Sequence, residues 1–497
     1  MLIFPKGGRD HFYPGEIDWE GLEYSKCGRT DKGVSAFGQV IGIRVRSNRP
    51  IAKKRPVAED QVEGNTEPPR NGDGDLEMRS LPLEPSSNEL ESDPHTPAES
   101  EHSEESLNFD PIADEIPYCT LLNRLLPPDI RILAWCPTPP LDFNARFSCR
   151  ERQYRYFFTQ PAFIPTANHL EGPLHPTQKD DVGKMKDGWL NIDAMRKAAK
   201  YFEGEHDFRN FCKVDGGKQI ENFHRNIFKA DIEEVPGDST PALQYLNSAH
   251  FLPKDLEAGY PKVYTFTLHG SAFLWHQVRC MVSILFLVAQ GLEKPEIVSE
   301  LLDVKKNPRR PIYEMATDTP LVLWDCIFPY SNDPTRSDAM EWEYIGSTPL
   351  TGDLKYGTDG ILENLWGVWR ERKIDEILAA ELMGVVVKQG IEVGETTGSK
   401  VRNGGGRSKG GRSQKVFDGG NRPRLQGSYG KVMEKPLMDT VEVINEKYAR
   451  RKGFESAEDL KAQGFRRLGG RGEKKVEDVL QEVKEGEKEE KVVEKEG

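Results

Sequence analysis

The run Cys27-Gly28-Arg29-Thr30-Asp31-Lys32-Gly33-Val34-Ser35-Ala36-Phe37-Gly38-Gln39-Val40 sets one carboxylate between two cations on a glycine-flanked turn. Such a placement suits an aspartate used as a reagent, because Arg29 and Lys32 would favour its ionised form. Gly28 and Gly33 free the backbone to turn and let a ligand approach closely. An ionised carboxylate on such a loop can attack a carbon or take a proton. Read from these residues alone, the alternative is an ordinary charged turn leading into the apolar strand Val40 to Val45.

The elements that must position this loop follow from periodicity. A helix is expected from about Pro117 to Leu126, ended by Pro127-Pro128, and a strand from Ile130 to Trp135. Alternating aromatic and charged residues in Tyr154-Arg155-Tyr156-Phe157-Phe158 predict another strand, and Val263 to Leu268 alternates likewise. Asp193 to Phe202 has helical spacing. Val278 to Ala289, closed by Gly291, reads as a buried helix, and Pro295 to Leu302 as a shorter one. The mixture indicates an α+β fold, with helices on one face of the sheets. Arg279, in the first turn of a buried helix, needs a partner or a cleft for its charge. His276 precedes it by three residues on the same face, as a general acid or as a satisfied helix-start histidine.

The wording of the first run resembles the signature of tRNA pseudouridine synthases of the TruA type, in which the aspartate of GRTD is catalytic. Two further segments resemble the family in the expected order. One is Phe143-Asn144-Ala145-Arg146-Phe147 followed by Arg152-Gln153-Tyr154-Arg155-Tyr156-Phe157-Phe158; the other is Phe273-Leu274-Trp275-His276-Gln277-Val278-Arg279. With Asn307-Pro308-Arg309-Arg310-Pro311 and Pro320-Leu321-Val322-Leu323-Trp324-Asp325-Cys326, the wording is most similar to the eukaryotic branch that acts on positions 38 and 39 of tRNA. The resemblance runs from about Tyr24 to Pro329 with one interruption. It implies two ferredoxin-like halves sharing a cleft that holds the RNA.

The resemblance assigns roles to Asp31, Tyr154, Arg279 and Leu321, and the residues themselves suggest those of Arg29, Arg146 and Arg152. Asp31 is the nucleophile or base of an isomerisation that moves uracil from its nitrogen to its carbon linkage, and no cofactor enters that reaction. Arg29 is expected to hold Asp31 ionised and to fill the gap left when the nucleotide is extruded, a manoeuvre every enzyme acting on a stacked base requires. Tyr154 stacks on the flipped uracil. Arg279 pairs with Asp31 or binds substrate, and Leu321 packs against the target base. Arg146 and Arg152 are expected phosphate contacts. Without the family, Arg29 is a phosphate contact, Arg279 a structural ion pair, and Tyr154 and Leu321 are plain core.

Charge and composition set independent limits. The 497-residue chain carries a net charge of −13, an unexpected sign for an RNA-binding protein. Residues 51–117, however, hold 18 Asp/Glu against 5 Lys/Arg, and the rest of the chain holds 63 of each sign. One segment thus carries the whole acidic excess. Rich in Pro, Ser and Glu and poor in aromatics, it is expected to be a disordered insert, residues 47–110. Seven cysteines, at 27, 119, 136, 149, 212, 280 and 326, form no close pair of metal-ligand spacing, so neither a zinc site nor a disulfide framework is expected. No Walker A loop or Rossmann glycine fingerprint stands beside a strand. No apolar run is long enough to span a membrane, and no signal-peptide core begins the chain. A soluble intracellular protein, nuclear or cytoplasmic, is expected.

The domain plan expected from these readings has an N-terminal catalytic half at 1–46 and 111–140 and a second half at 141–330. An extension at 331–399 and a low-complexity tail at 400–497 follow. Lys400 to Lys431 holds nine Lys/Arg and one acid, Asp418, amid repeated glycines. It reads as a flexible linker or a sequence-independent phosphate contact. The Lys/Glu-rich stretch from Glu473 reads as a solvated helix or disordered tail. In the family a complete strand, a loop and a helix precede the aspartate, whereas 30 residues precede Asp31 here. A first strand and helix are not expected to fit, leaving a start codon set too far downstream or a divergent half with an open sheet edge. The partner is the tRNA anticodon stem-loop, with no membrane and a homodimer left open. Two other readings stay open at this level: a catalytically weakened tRNA-binding protein, and a scaffold acting through insert and tail.

Overall fold

The computed structural model describes residues 2–5, 22–50, 109–167, 185–237, 241–329, 339–347, 352–358, 360–390 and 414–464. Most of the acidic insert, and the Lys/Glu-rich end, lie outside the described residues. In chain order the elements are β1 (Leu2–Pro5), β2 (Ser25–Lys26), β3 (Ser35–Ala36), β4 (Ile41–Val45), α1 (Tyr118–Leu125), β5 (Ala134–Trp135), β6 (Glu151–Gln160), α2 (Ile192–Lys200), β7 (Gly204–Asp207), β8 (His224–Val235), β9 (Lys262–Gly270), α3 (Gln277–Ala289) and α4 (Ile297–Leu302). Then come β10 (Leu321–Ile327), β11 (Glu343–Tyr344), α5 (Gly352–Tyr356), α6 (Ile361–Lys388), β12 (Gln414–Val416), β13 (Arg424–Gln426) and α7 (Val441–Arg451).

A six-stranded sheet in the order β3-β10-β6-β9-β8-β7 is antiparallel except at β3–β10. The alternation that predicts β6 buries Arg152, Tyr156, Phe158 and Gln160 on one side. Helix α3 covers this sheet and buries every residue except Arg279, as its continuous apolar run requires. Helix α2 packs beside it on β8, its N-terminus capped by the Asn191 side chain accepting from Ala194 N at 2.9 Å. This mixed α/β arrangement agrees with the expected class.

Several expectations need correction. Residues 2–5 form a strand parallel to β4, where none was expected to fit; four residues suffice for the pairing. Residues 6–21, where a first helix would fall, are outside the described set. The predicted strand Ile130 to Trp135 shrinks to Ala134–Trp135, which pairs with β11. The two ends of the acidic insert leave and return at one point: Asn48 N donates to Glu115 Oε1 at 2.8 Å, and Tyr118 Oη donates to Arg46 O at 2.6 Å.

The expected disordered tail is corrected most strongly, because residues 414–464 pack back onto the main core. Val416, Phe417 and Val432 are buried in the same cluster as α3. Phe417 N donates to Gln290 Oε1 at 2.8 Å, and Val432 N to Glu293 Oε1 at 2.7 Å. Arg424 pairs with Asp418 at 2.8 Å, so this cation is spent on packing rather than on phosphate. Phe417 lies 4.7 Å from the Phe286 ring centroid and 6.1 Å from that of Phe163. Phe417→Ala should therefore cost about 3–5 kcal/mol, as for other buried aromatics. Urea unfolding of the full chain measures it, and a loss under about 1 kcal/mol would mean that the strap lies loosely on the core.

Candidate active site

Short elements and side-chain clasps hold the loop that carries Asp31. Cys27 N donates to Val40 O at 2.9 Å, and Phe37 N to Leu323 O at 2.9 Å. Between them Gly28 N donates to Gln39 Oε1 and Gln39 Nε2 donates to Gly28 O, each at 2.9 Å. A Cβ on Gly28 would meet Leu323 Cδ2 at 2.8 Å, so a larger residue there would have to displace that side chain on β10. Gly33 has φ +89°, and a Cβ there would meet the Asp318 carboxylate at 2.9 Å, so any side chain would be strained.

Asp31 faces two donors from the start of α3. His276 Nε2 stands 3.3 Å from Asp31 Oδ2, and Arg279 Nη1 donates to the same oxygen at 3.4 Å. Arg279 Nε donates to Ala316 O at 2.8 Å, and its Nη2 lies 3.8 Å from Asp318 Oδ2. Ala316 N in turn donates to Arg279 O at 3.1 Å, and Thr317 N to Asp418 O at 2.9 Å, so the folded C-terminal strap backs the segment that aims Arg279.

A cleft of about 550 Å³ opens over this group. Asp31, Arg29, Arg146, Tyr154, Arg279 and Leu321 all line it, so residues scattered along the sequence meet in one place. Tyr154 sits edge-on to Phe273 with centroids 5.1 Å apart, and burial raises its phenol pKa well above the ordinary range, leaving it a neutral donor. Leu321 is buried at the start of β10. Arg29 and Arg146 are exposed on the rim.

Three assignments change. The described contacts of Asp31 come from Arg279 and His276 rather than from Arg29, which is a rim cation. Arg152 is buried and donates to Ser271 O at 2.7 Å, Arg146 O at 2.6 Å and Cys27 O at 3.3 Å, so it ties backbone together instead of reaching phosphate. His276 is no satisfied helix-start residue: its backbone is left-handed (φ 61°), its Nδ1 is buried without a hydrogen bond, and its Nε2 faces Asp31. Burial lowers the His276 pKa, Asp31 opposes that shift, and Arg279 adds to it. The ring is thus neutral near pH 7, and a proton on Nε2 makes it a donor to Asp31.

Sequence reasoning passed over Lys213 and Lys218, whose ammonium groups lie 4.6 and 5.5 Å from the Trp275 ring centroid at the cleft. Their spacing before an aromatic 57 or more positions later carries no local signal. Together with Arg29 and Arg146 they give the mouth of the cleft a cationic rim suited to a phosphate backbone. Inside, the Asp31 carboxylate, the neutral His276 imidazole and the Arg279 guanidinium share the cleft with the apolar faces of Tyr154, Leu321 and Phe273. This arrangement can hold a planar ring against a carboxylate.

A family model described as tRNA pseudouridine synthase matches residues 198–329. The tRNA pseudouridine(38/39) synthase of Saccharomyces cerevisiae is 34% identical over 435 residues, 87% of this chain and 67% of that protein. The Homo sapiens tRNA pseudouridine(38/39) synthase is 38% identical over 308 residues, covering 61% of this chain and 46% of its own length. The tRNA pseudouridine synthase A of Delftia acidovorans is 28% identical over 246 residues, 48% of this chain and 78% of that one. The alignments thus span about half the length of the mammalian relatives. Among the described residues no helix is long and apolar enough to cross a membrane.

Proposed function

The chain belongs to the tRNA pseudouridine synthase family, and from that premise we propose that it isomerises uridine to pseudouridine at positions 38 and 39 of the tRNA anticodon arm. The observation that carries this reading is the Asp31 carboxylate, set against His276 and Arg279 at the base of the cleft and beside Tyr154 and Leu321. In the reaction the N1–C1′ bond breaks, the base turns, and a C5–C1′ bond forms; C5 gives up a proton and N1 gains one. The product has the composition of the substrate, so no oxidant, reductant or group donor enters.

Asp31 acts as nucleophile or base on the extruded nucleotide. Tyr154 and Leu321 hold the uracil between them, where an aromatic face contributes about 1–3 kcal/mol. Arg279 and His276 fix the carboxylate. Arg29 enters the vacated stack, and Arg146 meets phosphate. Two ferredoxin-like halves, 1–46 with 111–140 and 141–330, form the cleft. A homodimer belongs to the same reading, supported by the exposed Trp366, Trp369, Leu378 and Leu382 of α6. A nuclear or cytoplasmic location belongs to the same reading.

The test is incubation of the full chain with an unmodified tRNA anticodon-arm transcript, followed by pseudouridine mapping at each position. Pseudouridine at 38 or 39 supports the reading. Tight binding without isomerisation overturns it in favour of a tRNA-binding protein.

A further inference from the structure

Cys27, Cys149 and Cys326 lie far apart in sequence, yet their Sγ atoms are all within 4.8 Å of one another. They come from three segments: the residue just after β2, the turn before β6, and β10. All three are buried, at 4%, 7% and 6% exposure, in a cluster with Val40, Phe143, Leu323 and Phe328. The expectation that no cysteines group for metal binding is thereby corrected, because sequence spacing sees only close pairs. We propose that these three thiols form a site for a thiophilic cation of the zinc(II) class, which staples the base of the Asp31 loop to β6 and β10.

Donor type, distance and charge support the site. Three thiolates around one such ion at about 2.3 Å stand about 4 Å apart, so small side-chain shifts close the cluster on a cation. Zinc with three thiolates carries one negative charge, and the Arg152 guanidinium lies alongside, donating to Cys27 O at 3.3 Å and to Cys149 O at 3.5 Å. Each thiol gives up its proton as it takes the ion. Cys27 also lines the cleft, which gives the ion a route of entry and a solvent molecule a route to the fourth position. Small buried apolar residues would need no such convergence of three sulfurs. Cys119 is buried as deeply but belongs to no such group among the described residues.

The test uses the full chain, with metal removed under reducing conditions and folding confirmed by retained tRNA binding. Adding Cd²⁺ should produce a sulfur-to-cadmium charge-transfer band that saturates at one equivalent. Zn²⁺ should compete for the same site and raise the melting temperature. Cys149→Ser and Cys326→Ser should each weaken Cd²⁺ binding by at least about 100-fold, beyond the loss for an outer-shell partner; Cys119→Ser should leave it unchanged. A folded chain with no band at one equivalent, or a band that survives both serine variants, overturns the proposal. So does mass spectrometry of the untreated protein showing a Cys27–Cys149 disulfide in place of free thiols.

Discussion

Asp31→Asn should lower kcat for pseudouridine formation by at least about 10⁴-fold while changing tRNA affinity by less than about threefold. The substitution keeps the shape of the side chain and removes only its charge and basicity. Every route through Asp31, by attack or by proton abstraction, needs the free carboxylate. In the proposed reading, binding rests instead on rim cations, Arg29, Arg146, Lys213 and Lys218, which the substitution does not touch. The loop should keep its place, because Cys27, Gly28, Phe37 and Gln39 hold it through bonds in which the carboxylate takes no part. Single-turnover rates and filter-binding affinities on the same transcript separate the two effects. Retention of wild-type turnover would remove Asp31 from the mechanism; a parallel loss of binding would mean that the loop had moved.

The sequence made legible whatever depends on local pattern. The α3 helix stands out because every position but Arg279 is buried, leaving an uninterrupted apolar run closed by Gly291. Tyr154 is legible because β6 alternates. Pairing across long separations was legible only where the family resemblance reached, as for Arg279 and Asp31, 248 positions apart. Local charge misled, because Lys32 and Arg29 adjoin Asp31 in sequence and drew the charge assignment, yet the turn leaves both exposed. The C-terminal strap was hidden by composition. Its glycines and cations outnumber the few residues that do the packing, and Val416, Phe417 and Val432 touch the core singly rather than with a period. The β8 strand escaped because charged residues on its open side interrupt the apolar positions.

Arg279→Met should lower kcat by about 10²–10³-fold, the scale of removing one preorganised donor from a catalytic centre, with tRNA affinity again nearly unchanged. The guanidinium has three tasks that a thioether of similar length cannot perform. It donates to Asp31 Oδ2 at 3.4 Å, to Ala316 O at 2.8 Å, and lies 3.8 Å from Asp318 Oδ2. Its side chain is 14% exposed, so water replaces these contacts poorly. Without it, Asp31 keeps the His276 Nε2 contact at 3.3 Å alone among its described contacts, and Asp318 loses the guanidinium 3.8 Å away. The carboxylate then loses its fixed direction rather than its chemistry, which separates this variant from Asp31→Asn. Arg279→Lys is the discriminating control. It restores the charge but not the planar fork, and should recover part of kcat, because an ammonium can reach Asp31 or Ala316 O but not both in the same geometry. Equal activity in the Met and Lys variants would show that charge is irrelevant at this position. A fall in tRNA affinity matching the fall in kcat would make Arg279 a substrate-binding cation rather than the group that aims Asp31.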